Sequence, residues 1–168
     1  MDNLHNKDGE SYVGSFLNGL YHGKGKYTWP DGNIYIGDFI DGKRTGKGKL
    51  TYSSDLTYDG DFIDGEQTGK GKLTNSSGET YDGDFIASQM TGKGKYTWPD
   101  GNIYIGDFIN GERTGEGKLT WSDGSSDSGH FINGELQANV SNSTNNHTSN
   151  NQHSSEKKYK YKSHIYRV

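Results

Sequence analysis

A 23-residue period governs this chain. Tyr12, Tyr35, Tyr58, Tyr81 and Tyr104 stand 23 residues apart, and Gly14, Gly37, Gly60, Gly83, Gly106 and Gly129 keep the same step. So do Phe16, Phe39, Phe62, Phe85, Phe108 and Phe131. Each unit then carries Gly-Lys-Gly-Lys, at 23–26, 46–49, 69–72 and 92–95, or Gly-Glu-Gly-Lys at 115–118, followed by Tyr or Leu and an unbroken threonine column from Thr28 to Thr120. A period of this length without insertion or deletion marks a repeat architecture, in which each unit buries its apolar face against its neighbours.

Within a unit, Tyr35-Ile36-Gly37-Asp38-Phe39-Ile40 and Gly46-Lys47-Gly48-Lys49-Leu50-Thr51-Tyr52 both alternate with the period of a strand. Between them, Asp41-Gly42-Lys43-Arg44-Thr45 reads as a hairpin loop. Pro30-Asp31-Gly32, Pro99-Asp100-Gly101 and Asp123-Gly124 read as the turns between units. The expected fold class is all-β: an elongated, twisted, single-layer antiparallel meander of stacked β-hairpin repeats. Parity places Tyr35, Gly37, Phe39, Gly46, Gly48, Leu50 and Tyr52 on one face, with rings over glycines. Ile36, Asp38, Ile40, Lys47, Lys49 and Thr51 fall on the other, where aspartate and lysine columns can pair across strands.

Composition is needed to separate this reading from disorder. Leu, Ile, Val and Phe number 27 of 168 residues and mean hydropathy is −1.03, values that suit an unfolded chain. A net charge of only −4 and 12% aromatic residues argue the other way, and the repeat decides. No cysteine is present, which excludes disulfides, thiolate metal sites and cysteine nucleophiles. The start, Met1-Asp2-Asn3-Leu4-His5, has no signal-peptide character, and no apolar run reaches membrane-span length. A cytoplasmic protein is expected, with membrane or cytoskeletal association open.

The pattern Y-x-G-x-F-x-x-G-x-x-x-G-x-G-K-x-T resembles the MORN repeat over roughly residues 9–138. The resemblance implies a mostly single-layer sheet whose aromatic side lines a groove, and a role in partner binding or oligomerisation. Membrane-lipid binding has also been proposed for such arrays. The chain divides into a lead-in (1–8), an array (9–140) with repeats near 12–34, 35–57, 58–80, 81–103 and 104–126 and a partial unit at 127–140, a Ser/Asn linker (141–155) and a basic tail (156–168). In the partial unit Asp127 replaces Tyr and Ala138 replaces Gly, which reads as a degenerate cap with an edge open to pairing.

Individual function should sit where units differ. The first loop is Asn18-Gly19-Leu20-Tyr21-His22; the fourth, Ala87-Ser88-Gln89-Met90-Thr91, loses its glycine and sets Met90 at an expected hairpin tip. Ser54-Asp55-Leu56 also lacks a glycine, Asn75 replaces a ring, and Glu116 replaces a lysine. Drift accounts for such changes in most cases; Tyr21 and Met90 are the candidate contacts. In the tail, Lys157, Lys158, Lys160, Lys162 and Arg167 against Glu156 give +4, leaving −8 on residues 1–155. Basic residues interleaved with tyrosine suit a lipid surface or nucleic acid; a solvated terminus is the plainer reading. His147 and His153 in the linker make a weak case for metal.

No catalytic constellation, cofactor or metal site is expected. The Gly-Lys-Gly-Lys runs lie in strands and lack P-loop spacing. The leading expectation is a non-catalytic scaffold for protein-protein interaction or self-association, through an aromatic groove of Tyr35, Phe39, Tyr58, Phe62, Tyr81, Phe85, Tyr104 and Phe108. The alternative is a peripheral membrane adaptor held to anionic phospholipid by the tail. Neither nucleic acid nor a small-molecule substrate is an expected partner of the array.

Overall fold

The computed structural model describes residues 2–5, as backbone alone, and residues 9–137. The linker, the tail and the last residues of the partial unit lie outside the described residues. The described chain is all-β: one sheet of thirteen antiparallel strands in sequence order. They are β1 (Asp2–His5), β2 (Ser11–Leu17), β3 (Leu20–Thr28), β4 (Ile34–Ile40), β5 (Lys43–Thr51), β6 (Thr57–Ile63), β7 (Glu66–Thr74), β8 (Thr80–Ile86), β9 (Gln89–Thr97), β10 (Ile103–Ile109), β11 (Glu112–Thr120), β12 (Ser126–Ile132) and β13 (Glu135–Leu136). Part of the lead-in joins the sheet, since β1 pairs with β2. At about 4.8 Å per strand the sheet runs to roughly 58 Å.

The hairpin loops are shorter than the sequence spacing suggests. Ile40 pairs with Lys43, so the loop is Asp41-Gly42 alone, and Lys43, Arg44 and Thr45 belong to β5. Both loop residues have positive φ, 49° and 82°, the two-residue turn whose twist matches that of the flanking strands. The difference arises from a bulge. Gly37 pairs with Gly48, but the next residue, Asp38, pairs with Thr45, which leaves Gly46 and Lys47 as extra residues inside the hairpin. The same break recurs in every complete unit. Two extra residues preserve parity, so the faces stay as expected except at Gly46, which parity puts beside the rings and which instead faces Asp38, because its positive φ turns it to the other side. Gly46 takes φ +58°, and a Cβ there would stand 3.1 Å from the Asp38 carboxylate.

The aspartate column holds this bulge. Asp61 Oδ2 accepts the Lys70 backbone N–H at 3.2 Å, while Asp61 Oδ1 meets Lys47 Nζ of the preceding unit at 2.7 Å. Lys24–Asp38, Lys70–Asp84 and Lys93–Asp107 repeat the inter-unit pair at 2.6–2.8 Å. The lysines are well exposed, so each pair contributes only a few tenths of a kcal/mol; the main role of the carboxylate is local, on the bulge.

On the other face, glycines form an unbroken row: Gly14, Gly25, Gly37, Gly48, Gly60, Gly71, Gly83, Gly94, Gly106, Gly117 and Gly129 pair in succession across the sheet. The rings of Tyr12, Tyr35, Tyr58, Tyr81 and Tyr104 each lie over the two glycines of their own hairpin. A Cβ on Gly48 would come within 2.3–2.5 Å of the Tyr35 ring. The phenol donates to the carbonyls at the bulge, Tyr58 Oη to Asp61 O at 2.9 Å and to Thr68 O at 3.2 Å. Tyrosines and phenylalanines then alternate edge to face, Phe39–Tyr35–Phe62–Tyr58–Phe85 onward to Phe131, with centroids 4.9–5.3 Å apart. This zigzag is the core of a sheet that has no second layer.

Candidate binding surfaces

The eight rings expected to line a groove are placed on one face, as parity requires, but none is open. Tyr35, Phe39, Tyr58, Phe62, Tyr81, Phe85, Tyr104 and Phe108 are at most 3% exposed. Burial pushes the Tyr35 and Tyr104 hydroxyls up to about 12 and the Tyr58 hydroxyl up as well.

What closes the rings is a column that looks unrelated in sequence: Tyr21, Arg44, Gln67, Met90, Arg113 and Leu136. Each pairs with the phenylalanine of its own hairpin, as Arg44 does with Phe39. The Arg44 guanidinium lies over Trp29, Tyr35 and Phe62 at 5.2, 5.7 and 5.5 Å, and its Nη2 donates to Gly65 O of the next hairpin turn at 2.6 Å. Burial lowers its pKa, but an arginine stays charged regardless. Arg113 repeats this over Trp98, Tyr104 and Phe131. Gln67 donates from Nε2 to Tyr52 Oη at 3.0 Å. Met90 is 2% exposed and so is a core residue and not a hairpin tip; the tip is Ala87-Ser88. Tyr21 is half-buried, stacked on Tyr12 at 4.0 Å. Chemically different side chains thus perform one task, which is why sequence comparison between units hides it.

The opposite face is open. Its outermost apolar groups are Ile36, Ile40, Ile63, Ile86, Ile105 and Ile109, each at least half exposed. Two troughs lie on it above the backbone of the glycine row. One of about 670 Å³ is lined by Lys70, Asp82, Lys93, Ile105, Glu116, Lys118 and Ser128. The other, of about 460 Å³, is lined by Val13, Lys24, Ile36, Lys47, Lys49 and Asp59. They exist because the side chains of the glycine row would point to the ring face, leaving backbone between two ridges of long side chains. Parity already placed Ile36 and the lysines here.

Among the described residues no cluster of three or more His, Asp or Glu side chains is arranged to hold a metal, and no helix is long and apolar enough to cross a membrane. The tail residues Lys157, Lys158, Lys160, Lys162 and Arg167, with His147 and His153, lie outside the described residues.

Three solved structures show limited similarity. The SAS-4 (dCPAP) TCP domain of Drosophila melanogaster, determined with a proline-rich motif of Ana2, is 18% identical, with 76% of each chain covered and a TM-score of 0.38. The TCP10 domain of Danio rerio CPAP, in complex with a STIL peptide, is 15% identical over 77% of this chain and 83% of that one, TM-score 0.21. The TCP10c domain of Drosophila melanogaster Sas-4 is 12% identical over 78% and 98%, TM-score 0.20. Overlaps at this level do not establish a common overall fold. No curated protein matches the sequence. The MORN repeat matches residues 12–34, 35–57, 58–80, 81–103 and 104–126. With five tandem copies over most of its length, joined by one ring zigzag and one glycine row, the chain belongs to the MORN-repeat family.

Proposed function

We propose that the chain is a non-catalytic scaffold that binds a protein segment along the lysine and isoleucine face, over the glycine row. The observation that carries this reading is the contrast between the two faces: the rings are at most 3% exposed, whereas the opposite face offers two troughs and a line of half-exposed isoleucines. Exposed apolar groups rimmed by charge suit an interface, and flanking backbone can approach closely where no side chain intervenes. The ring face serves this function indirectly, by fixing the hairpins that carry the troughs.

Site-specific photo-cross-linking tests the reading. A benzophenone side chain at Asp82, on the trough, is compared with one at Tyr52, on the rim of the ring face. Partner capture from position 82 and not from position 52 is the expected result. Capture from position 52 alone would move the interface to the ring face and overturn the proposal.

A further inference from the structure

The row of side chains that borders the troughs is not uniform. Strand pairing lines up Val13, Lys26, Ile36, Lys49, Asp59, Lys72, Asp82, Lys95, Ile105, Lys118 and Ser128 across the sheet. In its middle lysine and aspartate alternate, with Lys49 opposite Asp59, Lys72 between Asp59 and Asp82, and Lys95 opposite Asp82, but the row as a whole holds five lysines against two aspartates. At Ile36 and Ile105 the alternation fails. Each isoleucine is more than half exposed and has a lysine opposite it on both adjacent strands, Lys26 and Lys49 in one case, Lys95 and Lys118 in the other. Among the described residues these four lysines enter no ion pair.

The two places share their isoleucine and both flanking lysines, and differ at Val13 against Asp82, Lys47 against Glu116 and Asp59 against Ser128. Residues 23–40 and 92–109 have the same sequence over 18 positions, and Arg44 and Arg113 extend the correspondence at the same offset of 69 residues. That offset is three units. Six strand spacings separate Ile36 on β4 from Ile105 on β10, about 29 Å at 4.8 Å each.

Resting on the trough reading above, we infer that the partner is an acidic segment that presents two apolar side chains, one to Ile36 and one to Ile105, each flanked by carboxylates. Charge selects this occupant. Lysines without an ion pair on both sides of an apolar spot attract carboxylates on both sides of an apolar group. The chain's own tail, at +4, has the wrong sign to fill the same place. The overall −8 of residues 1–155 does not oppose the fit, because the row itself carries five lysines against two aspartates and the acidic excess lies elsewhere in the chain. Two such spots also turn a weak contact into a bivalent one, since engagement of the first holds the second block at millimolar effective concentration.

Fluorescence anisotropy on the full chain decides the matter, with three labelled peptides as probes. One carries two Glu-Glu-Ile-Glu-Glu blocks whose isoleucines are about 14 residues apart, a reach of roughly 46–50 Å that spans both spots. The second carries a single block, and the third has lysine for every glutamate. The two-block probe should bind at least tenfold tighter than the single block, and the lysine probe should not bind. Ile36→Asp and Ile105→Asp are the informative variants, because Asp59 and Asp82 occupy the same position in sister units and the fold tolerates them. Either variant should reduce the two-block probe to single-block affinity, and both together should abolish binding. If the two-block probe gains nothing, or the variants leave its affinity unchanged, the bipartite inference is overturned. No binding by either acidic probe overturns the assigned chemistry. In each of these cases cross-linking from position 82 still judges the trough itself, so the two failures are separable.

Discussion

Tyr58 is fully buried, covers Gly60 and Gly71, touches Phe62 and Phe85, and supplies a hydrogen to the bulge carbonyls. If the ring were a partner contact on an open groove, alanine there would weaken binding and leave stability intact. Its surroundings give the opposite expectation: Tyr58→Ala should cost about 3–5 kcal/mol, the range for a large aromatic core side chain. Urea denaturation followed by tryptophan fluorescence measures it, and a loss below about 1 kcal/mol would show that the ring is not core. That rings and strand glycines share one face was legible in the sequence, from parity and the lack of insertions. That the rings are sealed was not, because the lid column runs through Tyr, Arg, Gln, Met, Arg and Leu. Arg44 and Met90 share neither charge nor shape; what they share is a place opposite the phenylalanine of their own hairpin, and only coordinates reveal that.

The joints between hairpins show how elements can vary without loss of register. In two of them an asparagine binds the next turn: Asn33 Oδ1 accepts from Ser53 N at 2.8 Å, and Asn102 Oδ1 from Ser122 N at 2.7 Å. At the turn that begins Trp98-Pro99 no such N–H exists, and the preceding unit has Glu79 in place of asparagine. Glu79 takes the Tyr96 hydroxyl at 3.1 Å and the Asn75 amide at 2.7 Å. Glu10 and Tyr27 stand in the same relation ahead of Pro30. Four of the five joints therefore form two matched sets, Asn-Leu-Ser and Glu-Tyr-Pro, at positions such as 102, 119 and 122, while the fifth has Leu56, Leu73 and Ser76. Ser122→Pro alone should destabilise the chain by about 1–3 kcal/mol, because the buried Asn102 carbonyl loses its donor. Combined with Asn102→Glu and Leu119→Tyr it should recover at least half of that loss. A thermodynamic cycle from denaturant melts gives the coupling, and additive effects would refute the matched sets. Loop lengths were the part of the element scale that sequence misjudged. A two-residue bulge is silent in a parity argument, since it moves the turn and leaves every side chain on its face. The Ala87-Ser88 turn, with φ of 48° and 62° and no glycine, shows how firmly the rest of the unit dictates that geometry.

At the scale of the molecule the sheet behaves as a ruler, because each unit adds two strands and all cross-strand rows continue through it. Excision of residues 66–88 joins Gly65 to Gln89 and removes one unit in phase. The glycine row then runs from Gly60 to Gly94, the carboxylate of Asp61 meets the Gly92-Lys93 bulge, and the Lys47–Asp61 and Lys93–Asp107 pairs remain. The main loss is Glu79, the acceptor of the Tyr96 hydroxyl, worth about 1–3 kcal/mol when a buried donor is orphaned. The shortened chain should thus fold cooperatively, with an unchanged strand signature in circular dichroism and a lower midpoint. Its Ile36 and Ile105 would be four strand spacings apart, about 19 Å. A two-block acidic peptide with isoleucines about 6 residues apart reaches about 20 Å: too short for the native chain, long enough for the shortened one. It should bind the native protein no better than a single block and gain at least tenfold on the excised one. If the short probe discriminates between the two chains in this way, spacing along the sheet sets partner choice. Equal affinity for both would mean that the two isoleucines act separately, and that repeat number serves stability alone.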